Sequence, residues 1–230
     1  MSTYLIIGAS SGIGEQVAKQ LAAAGHTVYA TYHAHPVTDA SIQYHPLNVL
    51  EDKIELNFLP PVIDGLVYCP GAISLRPFAR IAPEDFTKDY QLQVIGAIKL
   101  IQAALPNLKA SNNASIVLFS TVAVQLGLNF HSVVAASKGA IEGLTKALSA
   151  ELAPIIRVNC IAPSLTNTPL AAALLNTDQK IEANAQRHPL KRVGSSSDIA
   201  NAVEFLLTDK SSWVTGQILH IDGGMSTIKL

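Results

Sequence analysis

Charge is scarce in this 230-residue chain. Asp, Glu, Lys and Arg make up 14% of it, about half the ordinary share. The net charge is −1, with acids and bases interspersed, so no basic stripe exists to follow a phosphate backbone and nucleic acid is not expected as a partner. Cysteine is nearly absent. Cys69 and Cys160 make no metal-ligand spacing and lie inside apolar runs, which reads as two buried free thiols in a reducing, cytoplasmic setting. No apolar run of about 18 residues is free of charge and turn residues, so no membrane span is expected. The N-terminus enters a strand with no basic n-region or cleavage site, which argues against a targeting segment. What is abundant is apolar side chain, 49% of the chain, with a mean hydropathy of +0.30. That is more than one core needs. Burial of outer faces in a homodimer or homotetramer is expected, a monomer with unusually apolar helices being the alternative.

Short apolar runs alternate with longer amphipathic stretches. The runs are 4–7, 27–32, 43–47, 65–69, 115–120, 157–161 and 217–221, and all but the third are apolar through their centres, as strands covered on both faces must be. Helical patterns cover 13–24, 85–108, 137–152 and 197–207, with Gly25 placed to end the first. This alternation predicts a single Rossmann-like, doubly wound α/β domain over 1–230, with about seven parallel strands and helices on both faces. Residues 33–42, with Pro36 among them, are too few for a full crossover helix, so a loop or one helical turn is expected there.

The firmest local signal is Gly8-Ala9-Ser10-Ser11-Gly12-Ile13-Gly14, between the first strand and the first helix. Such a loop needs glycine for the tight turn, for close backbone approach to phosphate and for helix–strand packing. The helix N-terminus then offers free N–H donors and a partial positive charge to a pyrophosphate. Gly8, Ser10, Ser11, Gly12, Ile13 and Gly14 are therefore expected to bind a dinucleotide. The spacing is GxxxGxG rather than GxGxxG, so by itself the loop is moderate support.

Further blocks follow in order: Cys69-Pro70-Gly71-Ala72, Arg157-Val158-Asn159, Ala162-Pro163-Ser164, Thr168-Pro169-Leu170, Pro189-Leu190-Lys191-Arg192, Asp198-Ile199-Ala200, Val214-Thr215-Gly216-Gln217 and Asp222-Gly223-Gly224. With the glycine loop, this series resembles the short-chain dehydrogenase/reductase family over nearly the whole chain. The resemblance implies a nicotinamide dinucleotide contacted also by Tyr32, His33, Asn48, Val49, Cys69, Pro70, Gly71, Lys138, Pro163, Ser164, Thr166 and Thr168. It implies a substrate segment at about 164–190, whose 171–175 run suggests a mobile apolar helix and an apolar carbonyl substrate. It also implies packing of the 85–108 and 137–152 helices across a two-fold axis.

NAD sites usually place an acid at the end of the second strand, on the ribose 2′-hydroxyl. Thr31-Tyr32-His33 stand there, with no carboxylate, so NADP(H) is expected and NAD(H) is the lesser alternative. Ser10, Ser11, Tyr32 and His33 could donate to a 2′-phosphate, although His33 also reads as a solvated loop residue. The resemblance implies that Asn48 and Val49 lie beside the adenine, where Asn48 can hydrogen-bond to the base.

The family's chemistry is hydride transfer assisted by a Tyr four residues before a Lys, a Ser that polarises the carbonyl, and an Asn that holds a relay water. Here Lys138 matches the Lys, Val134 stands at the Tyr position, Thr121 at the Ser and Gln93 at the Asn. A proton donor must therefore come from elsewhere. His131 shares a helix face with Val134 and Lys138 if the helix is continuous, and histidine titrates near neutrality. A loop histidine, or one at a subunit contact, is the other reading. Tyr90 and Ser120 are weaker candidates, better explained by helix packing and by a backbone bond. The expectation is an NADP(H)-dependent oxidoreductase with an altered site, or alternatively an inactive NADP(H)-binding sensor or partner subunit.

Overall fold

A computed structural model describes residues 1–229. The strands are β1 (Thr3–Ile7), β2 (Thr27–Tyr32), β3 (Gln43–Pro46), β4 (Gly65–Tyr68), β5 (Ala114–Phe119), β6 (Ile156–Pro163), β7 (Thr166–Asn167), β8 (Gly194–Ser195) and β9 (Ile218–Ile221). Seven of them form one parallel sheet in the order β3-β2-β1-β4-β5-β6-β9, as the alternation of the sequence predicts. β7 and β8 make a separate small ladder that the sequence did not announce.

The helices are α1 (Gly12–Ala23), α2 (Pro83–Tyr90), α3 (Gly96–Lys109), α4 (Ala123–Leu126), α5 (Ser132–Leu152), α6 (Asp178–Gln186) and α7 (Ser196–Leu207). Alternation along β1 sends Tyr4 and Ile6 into a core with α1 and α7, through Val17, Leu21, Val203 and Leu206. Leu5 and Ile7 face the other core, with Leu100 and Leu108 of α3 and Ile141 of α5. Helices thus cover both faces. The sheet order reverses between β1 and β4, and a crevice opens at the strand C-termini there.

Three sequence expectations are corrected. The 85–108 helix is not continuous, because a π turn, Gln91–Ile95, separates α2 from α3. The Tyr68 hydroxyl donates to the Leu92 carbonyl (2.6 Å), giving an acceptor in that turn a partner outside the helix. α5 begins at Ser132 rather than 137, since Val133 and Val134 bury their side chains as its first turn. The 171–175 run is a 3-10 segment, Pro169–Leu174, and the α-helix that follows it, α6, is so polar that no apolar stripe marks it. Residues 33–42 form an irregular loop, as expected. Among the described residues, no helix is long and apolar enough to cross a membrane, and no group of His, Cys, Asp or Glu is placed to hold a metal ion.

Candidate active site

The crevice holds a cavity of about 630 Å³. Every residue that the sequence singled out for cofactor binding borders it, as do Gln93, Thr121, His131 and Lys138.

At its floor lies the glycine loop. Gly12 has φ +61°, a left-handed conformation that costs other residues energy, and a Cβ on Gly14 would collide with the carbonyl oxygen of Gly8. Thr31 pins the loop from β2: its Oγ1 accepts from the Gly8 N–H (3.1 Å) and its carbonyl from the Ala9 N–H (2.8 Å). Ser11 is the N-cap of α1 but makes no side-chain capping bond. The first N–H groups of that helix are left for a ligand.

At one end, Tyr32, His33 and His35 border the cavity beside Asn48. The Asn48 amide is engaged in its own turn, accepting from the Leu50 N–H (3.1 Å) and donating to Glu51 (2.9 Å). One N–H and one lone pair of that amide remain for a ligand. Among the described residues, no Asp or Glu lines the cavity.

At the other end, α5 carries Val134 and Lys138 one turn apart, with Val134 6% exposed. Burial draws the Lys138 ammonium down to about 8, opposed by the nearby Cys160, Asp89 and Cys69. Burial likewise pushes the Cys69 and Cys160 thiols up to about 12, so neither offers a thiolate. Gln93 sits in the π turn. Its Nε2 donates to the buried Asp89 (2.7 Å), while its buried Oε1 has no partner and lies over Gly71, close to Lys138. Thr121 follows β5. Its Oγ1 accepts from the Ala123 N–H (3.3 Å), which leaves its own proton free to donate.

His131 is the N-cap residue of α5 rather than a member of the helix, and its Nδ1 lies 2.7 Å from the Asn129 carbonyl. Ser120 also borders the cavity, with its hydroxyl donating to the Glu142 carboxylate (2.6 Å), not chiefly to backbone as expected. Tyr90 ends α2 at 41% exposure and does not border the cavity.

Asn184, Arg187 and His188, inside the 164–190 segment but not singled out by the sequence, line the cavity from the C-terminal end of α6. The Pro189-Leu190-Lys191-Arg192 block lay beside them, but only the fold shows that His188 turns inward, 3% exposed.

A seven-stranded parallel sheet of this order, with a glycine cradle under a cavity at its switch point, defines a dinucleotide-type α/β fold. The family pattern described as enoyl-(acyl carrier protein) reductase matches residues 49–226. L-xylulose reductase of Bos taurus is 31% identical over 230 residues, covering 96% of this chain and 94% of that protein. A tropinone reductase homolog of Datura stramonium is 32% identical over 245 residues, covering 96% and 91%. The structure of a short-chain type dehydrogenase/reductase from Mycobacterium ulcerans superposes with a TM-score of 0.87 at 27% identity, covering 98% and 90%. The chain belongs to the short-chain dehydrogenase/reductase family, and it is an oxidoreductase of that type.

Proposed function

We propose that this protein uses NADP(H) to interconvert an apolar carbonyl compound and its alcohol, at a site that works without the family's tyrosine. The observation that carries the cofactor choice is the end of β2, where Tyr32 and His33 border the cavity and no carboxylate among the described residues lines it. A 2′-phosphate beside Tyr32 and His33 meets no like charge, and an NAD ribose finds no acid to accept from its 2′-hydroxyl.

The residues present fit such a cofactor. The left-handed turn at Gly12 and the uncapped start of α1 make a pyrophosphate cradle, and the unpartnered Gln93 Oε1 is an acceptor awaiting a donor. When bound, the nicotinamide supplies hydride to the carbonyl carbon. Lys138 would hold the nicotinamide ribose, Thr121 would polarise the carbonyl with its free proton, and Pro163, Ser164, Thr166 and Thr168 would flank the nicotinamide. Gln93, tied to Asp89 on one side, would hold water or Lys138 on the other. His131, partly exposed at the cavity rim, would be a proton source from solvent.

The segment 164–190, with its 3-10 turn and α6, would close over the substrate, and Leu128, Leu170 and Leu174 on the lining favour an apolar one. A homodimer or homotetramer in a reducing, cytoplasmic setting completes this reading. It suits the apolar surplus and the nearly fully exposed Trp213.

The test is a fluorescence titration with NADPH and NADH, joined to NADPH oxidation with a panel of ketones, diketones and quinones. Tighter NADPH binding with turnover of at least one carbonyl is expected. Tight NADPH binding with no oxidation would favour the sensor reading instead.

A further inference from the structure

Val134 leaves the reduced oxygen without its nearest proton, and the cavity wall holds an arrangement that no sequence motif pointed to. Ser164 follows the last residue of β6. The carbonyl of its neighbour Pro163 accepts from the Val122 N–H (3.1 Å), which places Ser164 beside Thr121 at adjacent strand ends. Both side chains border the cavity. Behind Ser164 lies His188, buried, with Nε2 2.8 Å from the Ser164 Oγ and Nδ1 2.8 Å from the Asn184 carbonyl. Ser164 Oγ also lies 3.1 Å from the Met225 sulfur.

The proton count of this chain of contacts is informative. A carbonyl oxygen can only accept, so His188 Nδ1 carries a proton held on Asn184. A hydroxyl has one proton and cannot give it to both His188 and Met225. In the neutral ring Nε2 accepts the Ser164 proton; when Nε2 is also protonated it donates to Ser164, whose own proton then rests on the weakly accepting sulfur. A substrate oxygen is a better acceptor than a thioether, and Ser164 can turn to it.

We propose that Ser164 is the group that gives the proton to the substrate oxygen, and that His188 reloads it. This rests on the oxidoreductase reading above. As hydride and its electron pair reach the carbonyl carbon, the C=O π pair moves onto oxygen and a new O–H bond forms with the Ser164 proton. Ser164 Oγ takes the Nε2 proton of His188, which becomes neutral while keeping its Nδ1–H on Asn184. The carbonyl is reduced to alcohol, the dihydronicotinamide is oxidised, and His188 recovers a proton from water before the next turnover. Run backwards, the same pair takes a proton from an alcohol. Ser164 is a catalytic residue in this scheme, and His188 positions and recharges it.

The charged groups around the imidazole are Arg187 beside it in sequence, and Arg192, Asp198 and Asp222 across a smaller cavity that it shares with Ser164. Arg192 and Asp198 neutralise each other through paired contacts of 2.6 and 2.8 Å.

The test compares wild type with Ser164→Ala, Ser164→Thr and His188→Gln. Glutamine can still donate to the Ser164 oxygen but cannot release a proton, so it separates proton transfer from support of the wall. Ser164→Ala and His188→Gln should each lower kcat about 10²-fold or more with KM and the NADPH dissociation constant nearly unchanged. Ser164→Thr should retain most of kcat. A readout independent of turnover is the ¹⁵N spectrum of His188 in the full chain. Nδ1 should carry a proton, and Ser164→Ala should shift the Nε2 signal.

Wild-type turnover combined with unaltered kcat in both Ser164→Ala and His188→Gln overturns the proposal and leaves the oxidoreductase reading standing. A His188 ring with no proton on Nδ1 overturns it too. A wild-type protein that binds NADPH but reduces no carbonyl overturns both.

Discussion

Val134 stands one helical turn ahead of Lys138 on α5, and both border the same cavity. Lys138 therefore has an apolar neighbour where a hydroxyl would have shared its field. Val134→Tyr restores a phenol one turn from the ammonium. If proton supply limits the reaction, kcat for carbonyl reduction should rise by about 10-fold or more, with NADPH affinity little changed. A stopped-flow comparison of the two proteins checks this. An unaltered rate would mean that proton delivery does not limit the wild-type enzyme.

Lys138 carries a burden when no cofactor pairs with it. Its ordinary value of 10.5 falls to about 8 because burial disfavours the charged form. Between about pH 8 and 10.5 the unfolded chain then binds more protons at this position than the folded one, so this group's contribution to stability rises with pH across that window. Lys138→Met should stabilise the cofactor-free protein near pH 7, by about 1–3 kcal/mol. The gain should shrink as the pH approaches 10.5, and the variant should bind NADPH more weakly. Urea unfolding at several pH values, with a parallel NADPH titration, measures both effects.

The cofactor choice turns on the end of β2. His33→Asp places a carboxylate where the lining has none. NADPH affinity should fall about 10-fold or more through like-charge repulsion, and NADH affinity should rise as the new acid accepts from the ribose 2′-hydroxyl. Titration of each cofactor against both proteins is the check. Parallel changes for the two cofactors would place the 2′-phosphate elsewhere.

Much of the fold was legible because burial on both faces writes itself into sequence. β1 and β5 are nearly unbroken apolar runs, and the glycines at 8, 12 and 14 mark where backbone must approach backbone or ligand. The positions along the cavity beyond the glycine loop were readable from the family resemblance, whose blocks fall at strand ends. What the sequence hid depends on contacts remote along the chain. The π turn at Gln91–Ile95 involves a Tyr68 hydroxyl from another strand, and nothing in its own residues signals it. α6 has too little apolar periodicity to stand out from a loop. His188 carried no signal of its own until the fold joined it to Ser164, 24 residues earlier.

The most direct measurement follows the hydride itself. The protein is incubated with NADPH dideuterated at C4 and a ketone that it consumes, and the alcohol is analysed by mass spectrometry. One deuterium on the carbinol carbon per NADPH oxidised is the expected result. An unlabelled alcohol, or NADPH that stays bound and unoxidised across the whole carbonyl panel, would contradict the assignment of this chain as a working NADP(H)-dependent reductase.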